Sequence, residues 1–216
     1  MAWETDLDRS VSYAEVGDRQ RLQIADRGYV WAMAANRYLA LLRGINVGGK
    51  NPVPMAALRD AFDDAGFTDV STYIQSGNVL FSVDRPAADR TGPALEDEIE
   101  TVLEKKFGIP LVVVVRSRRQ LRSVVSSAPP GFGQHPDEFH SDAVFLKSPL
   151  TPASAMKVVQ TRDGVDQAWP GTGVIYFARL SAKRTQSKMS KIVGTPAYQQ
   201  MTIRSWKTTT KLVELL

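Results

Sequence analysis

The sequence predicts an α+β fold: a ferredoxin-like β-α-β-β-α-β unit followed by a second, degenerate ferredoxin-like unit. Three observations carry that expectation. The run from Tyr38 to Arg43 is apolar and too continuous for an exposed edge strand, and it ends in a glycine-rich loop. Downstream, the apolar period switches between helical spacing and short strand-like runs. The second half of the chain then repeats most of that order.

Strand one is Tyr38 to Arg43, and the loop Gly44–Asn51 follows. Helix one starts near Pro54, a residue favoured at the first helical position, and carries Met55, Leu58, Phe62 and Ala65 at helical spacing. Gly66 stops it. Strands two and three are Val70–Gln75 and Val79–Val83, with Ser76-Gly77 and then Asn78 as a tight turn. Helix two runs from about Pro93 to Phe107, with Leu95, Ile99, Val102 and Leu103 on one face. Gly108 and Pro110 end it, and Leu111–Val115 is strand four.

The second half opens with a helix, Arg118–Ala128, and a Pro/Gly-rich loop, Pro129–Ser141. A strand at Asp142–Lys147 and a helix at Pro152–Gln160 follow. A hairpin pairs Val165–Trp169 with Val174–Arg179, and a short helix covers Ser187–Val193. Thr208–Leu216 reads as a terminal helix burying Leu212, Leu215 and Leu216. The chain thus divides into an N-terminal extension (1–35), a ferredoxin-like unit (36–116) and a second α+β unit (117–216) with a basic C-terminal motif. The extension is polar and has no convincing periodicity beyond Tyr13–Val30. Met33, just before the first strong strand, is read as a natural start, with 1–32 an upstream extension or accessory arm.

Topology adds what linear order hides. A right-handed crossover makes strands one and two parallel, with strand three between them. The loop after strand one and the turn after strand two then share one end of the sheet. Arg43, Asn46 and Lys50 should therefore face Gln75, Ser76 and Asn78.

Composition removes several chemistries. With no cysteine among 216 residues, disulfides, thiol nucleophiles and Cys-type zinc sites are excluded. No apolar run approaches the ~20 residues that span a bilayer, and a cytoplasmic protein without membrane partners is expected. Net charge is +4, but residues 179–216 carry eight basic groups against Glu214 alone, a net of +7. A localised basic surface suits a phosphate-bearing partner.

Gly44-Ile45-Asn46-Val47-Gly48-Gly49-Lys50-Asn51 nearly matches a nucleotide phosphate loop. Asn51 lacks the hydroxyl that ligates magnesium, and Pro52 and Pro54 disfavour a helix starting at the lysine. An anion-binding nest without triphosphate chemistry is the favoured reading, and no cofactor is implied. The candidate ligand-binding residues are Arg43, Asn46, Gly48, Gly49 and Lys50 of this stretch, with Gln75, Ser76 and Asn78 of the turn. Lys188, Lys191, Arg204 and Trp206 of the C-terminal motif complete the set, combining cations with one aromatic platform. Trp206 equally reads as a core anchor. His135 and His140 fit no metal-ligand spacing, and no metal is expected. The paired carboxylates Asp63-Asp64 and Glu96/Glu100 read as solvated helix-surface charges.

Leu41–Asn51, Gly66-Phe67 and Tyr73–Val79 resemble the bacterial domain-of-unknown-function family 1697. Thr202-x-Arg204-x-Trp206-x-Thr208, with Lys211-Leu212, resembles its closing motif, although that family usually has Asn where this chain has Ser205 and Lys207. The resemblance covers about Arg37 to Leu216. It implies an α+β fold related to ferredoxin-like units and brings no established activity.

Three functions fit these observations. The first is a binding protein for a phosphate-bearing ligand, a nucleotide or nucleic acid, at the composite of loop, turn and C-terminal motif. The second is a small-molecule enzyme acting on an anionic substrate at the same place. The third is a structural or interaction module.

Overall fold

The computed structural model describes residues 13–16, 19–23, 29–33, 36–48, 51–84 and 92–216. The chain forms two compact units, Met1–Asn36 and Arg37–Leu216. The first contains β1 (Tyr13–Val16), β2 (Arg19–Gln23) and β3 (Tyr29–Met33), an antiparallel meander in the order β1-β2-β3. The strands fall largely within Tyr13–Val30, the one stretch of the extension with any period.

The second unit is mixed α+β, with two four-stranded antiparallel sheets. The first sheet has the order β5-β6-β4-β7, from β4 (Asn36–Leu42), β5 (Thr68–Tyr73), β6 (Asn78–Val83) and β7 (Val113–Ser117). Helices α1 (Met55–Asp64) and α2 (Gly92–Phe107) form the crossovers. Strand β4 is buried on both faces, which explains its unbroken apolar run. Ala40 and Leu42 face Leu58, Phe62, Leu95 and Ile99 of the helices. Leu39 and Leu41 face the opposite side, towards the second sheet.

The second sheet has the order β11-β8-β10-β9, from β8 (Phe139–Leu146), β9 (Asp166–Gly171), β10 (Val174–Leu180) and β11 (Met201–Ser205). Both sheets therefore place their strands in the same sequence, fourth-first-third-second. Between them lie α3 (Arg118–Ser126) and α5 (Trp206–Leu215), which contribute Leu121, Val124 and Leu212 to a core shared with Phe145 and Tyr176. The Tyr176 hydroxyl, buried there, donates to the Val124 carbonyl at 2.7 Å. The outer face of the second sheet is covered by α4 (Pro152–Met156) and by 3-10 turns that carry Met189 and Ile192.

Three expectations need correction. The second unit is not short of a strand: Met201–Ser205 pairs with β8 throughout, from Met201↔Leu146 to Ser205↔Asp142. Its polar, charged residues concealed it. The terminal helix begins at Trp206 rather than Thr208, with Ser205 as its N-cap accepting from the Thr208 N–H at 3.3 Å. Glu96 is not a solvated charge. Only 2% of it is exposed, and its carboxylate accepts from the Val115 N–H at 2.9 Å.

Candidate anion site

The two sheets are joined by arginines that reach across in both directions. Arg116, near the end of β7, donates to the Leu146 carbonyl at the end of β8 (2.6 Å) and to the Gly173 carbonyl in the β9–β10 turn (2.9 Å). Arg204, near the end of β11, donates to the Leu42 carbonyl at the end of β4 (2.8 Å). It also donates to the Ser76 and Gly77 carbonyls in the β5–β6 turn, at 2.8 and 3.1 Å. Each arginine closes the last turn of the other sheet. Leu42 N–H donates to the Gly77 carbonyl, and Leu146 N–H to the Gly173 carbonyl, in the same pattern.

Arg204 is 7% exposed and uses its whole fork. Nε donates to Asn78 Oδ1 at 2.6 Å, and Nη1 donates to Thr202 Oγ1 and the Ile203 carbonyl at 2.8 and 2.9 Å. Burial pushes Arg204 down to about 10, still charged at neutral pH. Gly77 is required where it stands: φ is +76°, and a Cβ would sit 2.8 Å from Ile45 Cδ1 and Leu42 Cβ.

The glycine loop is stapled from within. Asn46, at φ 53°, accepts from the Val53 N–H at 2.8 Å and donates to the Val53 and Gln75 carbonyls. Asn78, fully buried, donates to the Tyr73 carbonyl and Ser76 Oγ. Asn46, Gln75, Ser76, Asn78 and Arg204 thus come together as a hydrogen-bonded frame. Gly48 lies at the exposed loop tip with φ 58°. Gly49 and Lys50 lie outside the described residues.

Reciprocity ends at the residue after the first strand of each sheet. After β8, Lys147 reaches α2 and lies 2.9 Å from Glu100, 3.5 Å from Glu96 and 3.8 Å from Asp97. Burial raises the Glu96 carboxyl above the usual carboxylate range, and Lys147 and Arg116 pull it back only in part. After β4, the corresponding residue is Arg43. Its guanidinium lies over the Tyr198 ring, 4.7 Å from the centroid, in the 3-10 turn Pro196–Gln200. No carboxylate pairs with Arg43 among the described residues, and its buried Nε has no hydrogen-bond partner.

Lys188 and Lys191 sit on the neighbouring 3-10 segment, where the Lys188 N–H donates to Asp166 at 2.9 Å and Lys191 is exposed. They stand beside the Tyr198 turn, outside the Arg204 frame. Trp206 is a packed anchor: its ring meets Phe132 at 4.9 Å and Tyr176 at 6.1 Å, and it fills the space a Cβ on Gly133 would need.

The sequence profile of a family described as "Protein of unknown function (DUF1697)" matches residues 35–176. The chain belongs to the DUF1697 family. The conserved bacterial protein SP0830 from Streptococcus pneumoniae has a similar structure. Its TM-score is 0.70 at 27% identity, covering 84% of this chain and 99% of that one. No curated protein matches. The DUF1697 match spans the glycine loop and the Gln75–Asn78 turn but ends inside β10, before Tyr198 and Arg204.

In this DUF1697 chain, sequence reasoning missed Arg116, Lys147, Glu96 and Tyr198. One signal could have found Arg116, by its likeness to Arg204. Val115-Arg116-Ser117 and Ile203-Arg204-Ser205 both place an arginine just before a serine helix cap.

Proposed function

We propose that the chain is a binding protein for a phosphate-bearing ligand, a nucleotide or nucleic acid, held at Arg43. The observation that carries this reading is the contrast between two matching positions. Lys147 is neutralised by carboxylates of α2, whereas Arg43 faces Tyr198 and has no acidic partner among the described residues. An anion at Arg43 would take the place that Glu100 fills beside Lys147. The loop through Lys50 would supply a second cation, and Lys188 and Lys191 on the adjoining turn would extend the basic surface for a longer polyanion. In this reading Asn46, Asn78 and Arg204 are the frame rather than the contact. Their donors are spent on backbone and side-chain acceptors. We further read the two halves as ferredoxin-like units, on the strength of their shared strand order and crossovers.

Nucleotide mono-, di- and triphosphates are tested by thermal shift, and labelled single-stranded DNA and RNA by anisotropy across a salt series. A ligand at 100 times its dissociation constant should add ~2.7 kcal/mol of stability. Arg43→Gln should weaken binding about tenfold or more, the loss expected for a charge-assisted contact. Absent binding of every phosphate-bearing probe, or binding indifferent to Arg43→Gln, overturns the reading.

A further inference from the structure

A cavity opens where β8 runs on past the end of β11. At Ser205↔Asp142 the pairing stops, so Phe139–Ser141, held by β10 on one edge, border open space on the other. A cleft of about 620 Å³ lies there, walled by Phe139, Pro136 and Trp206, with Ser141, Ser205 and Lys207 among its polar lining. A smaller chamber of about 120 Å³ shares Gly133, Phe139 and Ser141 with it, and its further lining includes the rings of Phe132 and Trp169 beside His135 and Gln167. That size approaches the ~150 Å³ apolar cavity known to accept a benzene ring.

We infer that this cleft binds a small molecule carrying one planar aromatic ring and one anionic group. The ring belongs in the aromatic chamber, the anion at the start of α5. Four observations converge on that class of ligand. None of the residues lining either cavity is acidic. Lys207 is exposed in the first turn of α5 and has no ion pair among the described residues. A helix N-terminus adds partial positive charge and leaves N–H groups without intrahelical acceptors. Independently, Ser141 lines both cavities at 8% exposure, and its buried hydroxyl has no hydrogen-bond partner. A buried hydroxyl without a partner is costly, and rotation of the Ser141 side chain toward the cavities would bring it to a ligand seated across them.

The walls are rigid. Phe132 packs edge-on to Trp206 and Trp169 at 4.9 and 6.0 Å, fixing both indoles. His140 Nε2 is paired with Asp142 at 3.2 Å, and Asp142 in turn with Arg179 at 3.2 Å, so the rim beside Ser141 is held too. A preorganised pocket with an apolar body and a few polar groups at one end is how small-ligand sites are built.

The full chain is titrated with benzoate, phenyl phosphate, benzamide and inorganic phosphate, following the indole N–H of Trp206 by heteronuclear NMR. Benzoate or phenyl phosphate should shift that signal saturably, with a dissociation constant of about a millimolar or below for ligands this small. Benzamide and inorganic phosphate should bind at least about tenfold more weakly, each lacking one half of the recognition. A response to benzoate alone assigns a carboxylate, and to phenyl phosphate alone a phosphate. Lys207→Glu, at an exposed position, should abolish the response; Ser141→Ala should weaken it; Arg43→Gln should leave it unchanged. No saturable shift with either aromatic anion overturns the inference. So does an equal response to benzamide or to inorganic phosphate, or one that survives Lys207→Glu.

Discussion

Truncating Arg204 tests how much of the join between the sheets rests on one side chain. Arg204→Ala removes six hydrogen bonds, but the acceptors do not suffer equally. The Leu42 carbonyl keeps Thr202 Oγ1 at 3.4 Å, and the Gly77 carbonyl keeps the Leu42 N–H at 2.8 Å. Asn78 Oδ1 and the Ser76 carbonyl lose the donor that satisfies them. Two orphaned acceptors at about 1–3 kcal/mol each give roughly 2–6 kcal/mol of destabilisation. Ending the burial of a guanidinium that has no carboxylate partner offsets about 1 kcal/mol of this, the low end of what removing buried charge recovers, because its hydrogen bonds already compensate much of its desolvation. The expected net loss is about 3 kcal/mol, which lowers Tm by roughly 6–12 °C in a unit of this size.

Calorimetry and urea unfolding give the size, and amide hydrogen exchange gives the place. Exchange should quicken first at Leu42 and in the Ser76–Asn78 turn. Arg204→Met keeps volume without charge and should cost less than the alanine variant. Arg204→Lys should cost nearly as much, since one ammonium cannot reach acceptors spread around a planar fork. An alanine variant within about 1 kcal/mol of wild type, or exchange that quickens uniformly, would refute the reasoning.

Two further outcomes follow from the same frame. Burial first, against the pull of the Val115 N–H, Lys147 and Arg116, holds the Glu96 carboxyl above the usual carboxylate range. With its folded-state pKa raised, the stability Glu96 contributes is full below the ordinary glutamate value and is lost as pH climbs through the raised one. The stability of wild type relative to Glu96→Gln should therefore fall across that window in urea unfolding at a series of pH values; a flat or rising difference sinks the assignment. Gly77→Ala places a Cβ against Ile45 and Leu42 at φ +76° and should cost roughly 2–3 kcal/mol by thermal unfolding, whereas a neutral outcome would show that the turn can shift.

The first half of the fold was legible because its periods are clean. Strand β4 is apolar on both faces since both faces are covered, and α1 and the β5–β6 turn carry ordinary signals. Strand β11 was not legible. Thr202 and Arg204 look like solvent-facing residues, yet both are buried, because their partners are carbonyls and amides of the other sheet. Glu96 failed for the same reason: its hydrogen-bond donor is the β7 backbone and its counterions lie on β7 and after β8. Local pattern reports whether a residue is polar, while the far half of the chain decides whether that polarity is satisfied indoors. Topology placed the glycine loop beside the Gln75–Asn78 turn, and Asn46 bonds the Gln75 carbonyl at 3.0 Å. It could not show that Arg204 would spend every donor there.

That expenditure decides where a ligand could act. A guanidinium with three engaged nitrogens offers nothing to a phosphate, however basic the surrounding sequence. Free capacity must be sought where the reciprocal design departs from itself. At one join, a cation meets carboxylates on the facing crossover helix. At the other, that helix is replaced by 3-10 turns carrying Tyr198, and a cation meets an aromatic face. The first arrangement closes its own charge. The second leaves its charge without a carboxylate among the described residues, as an anion-binding site requires. If Arg43 were instead only a packing residue, Arg43→Met would match wild type in both stability and phosphate binding; loss of binding with stability retained separates the two roles.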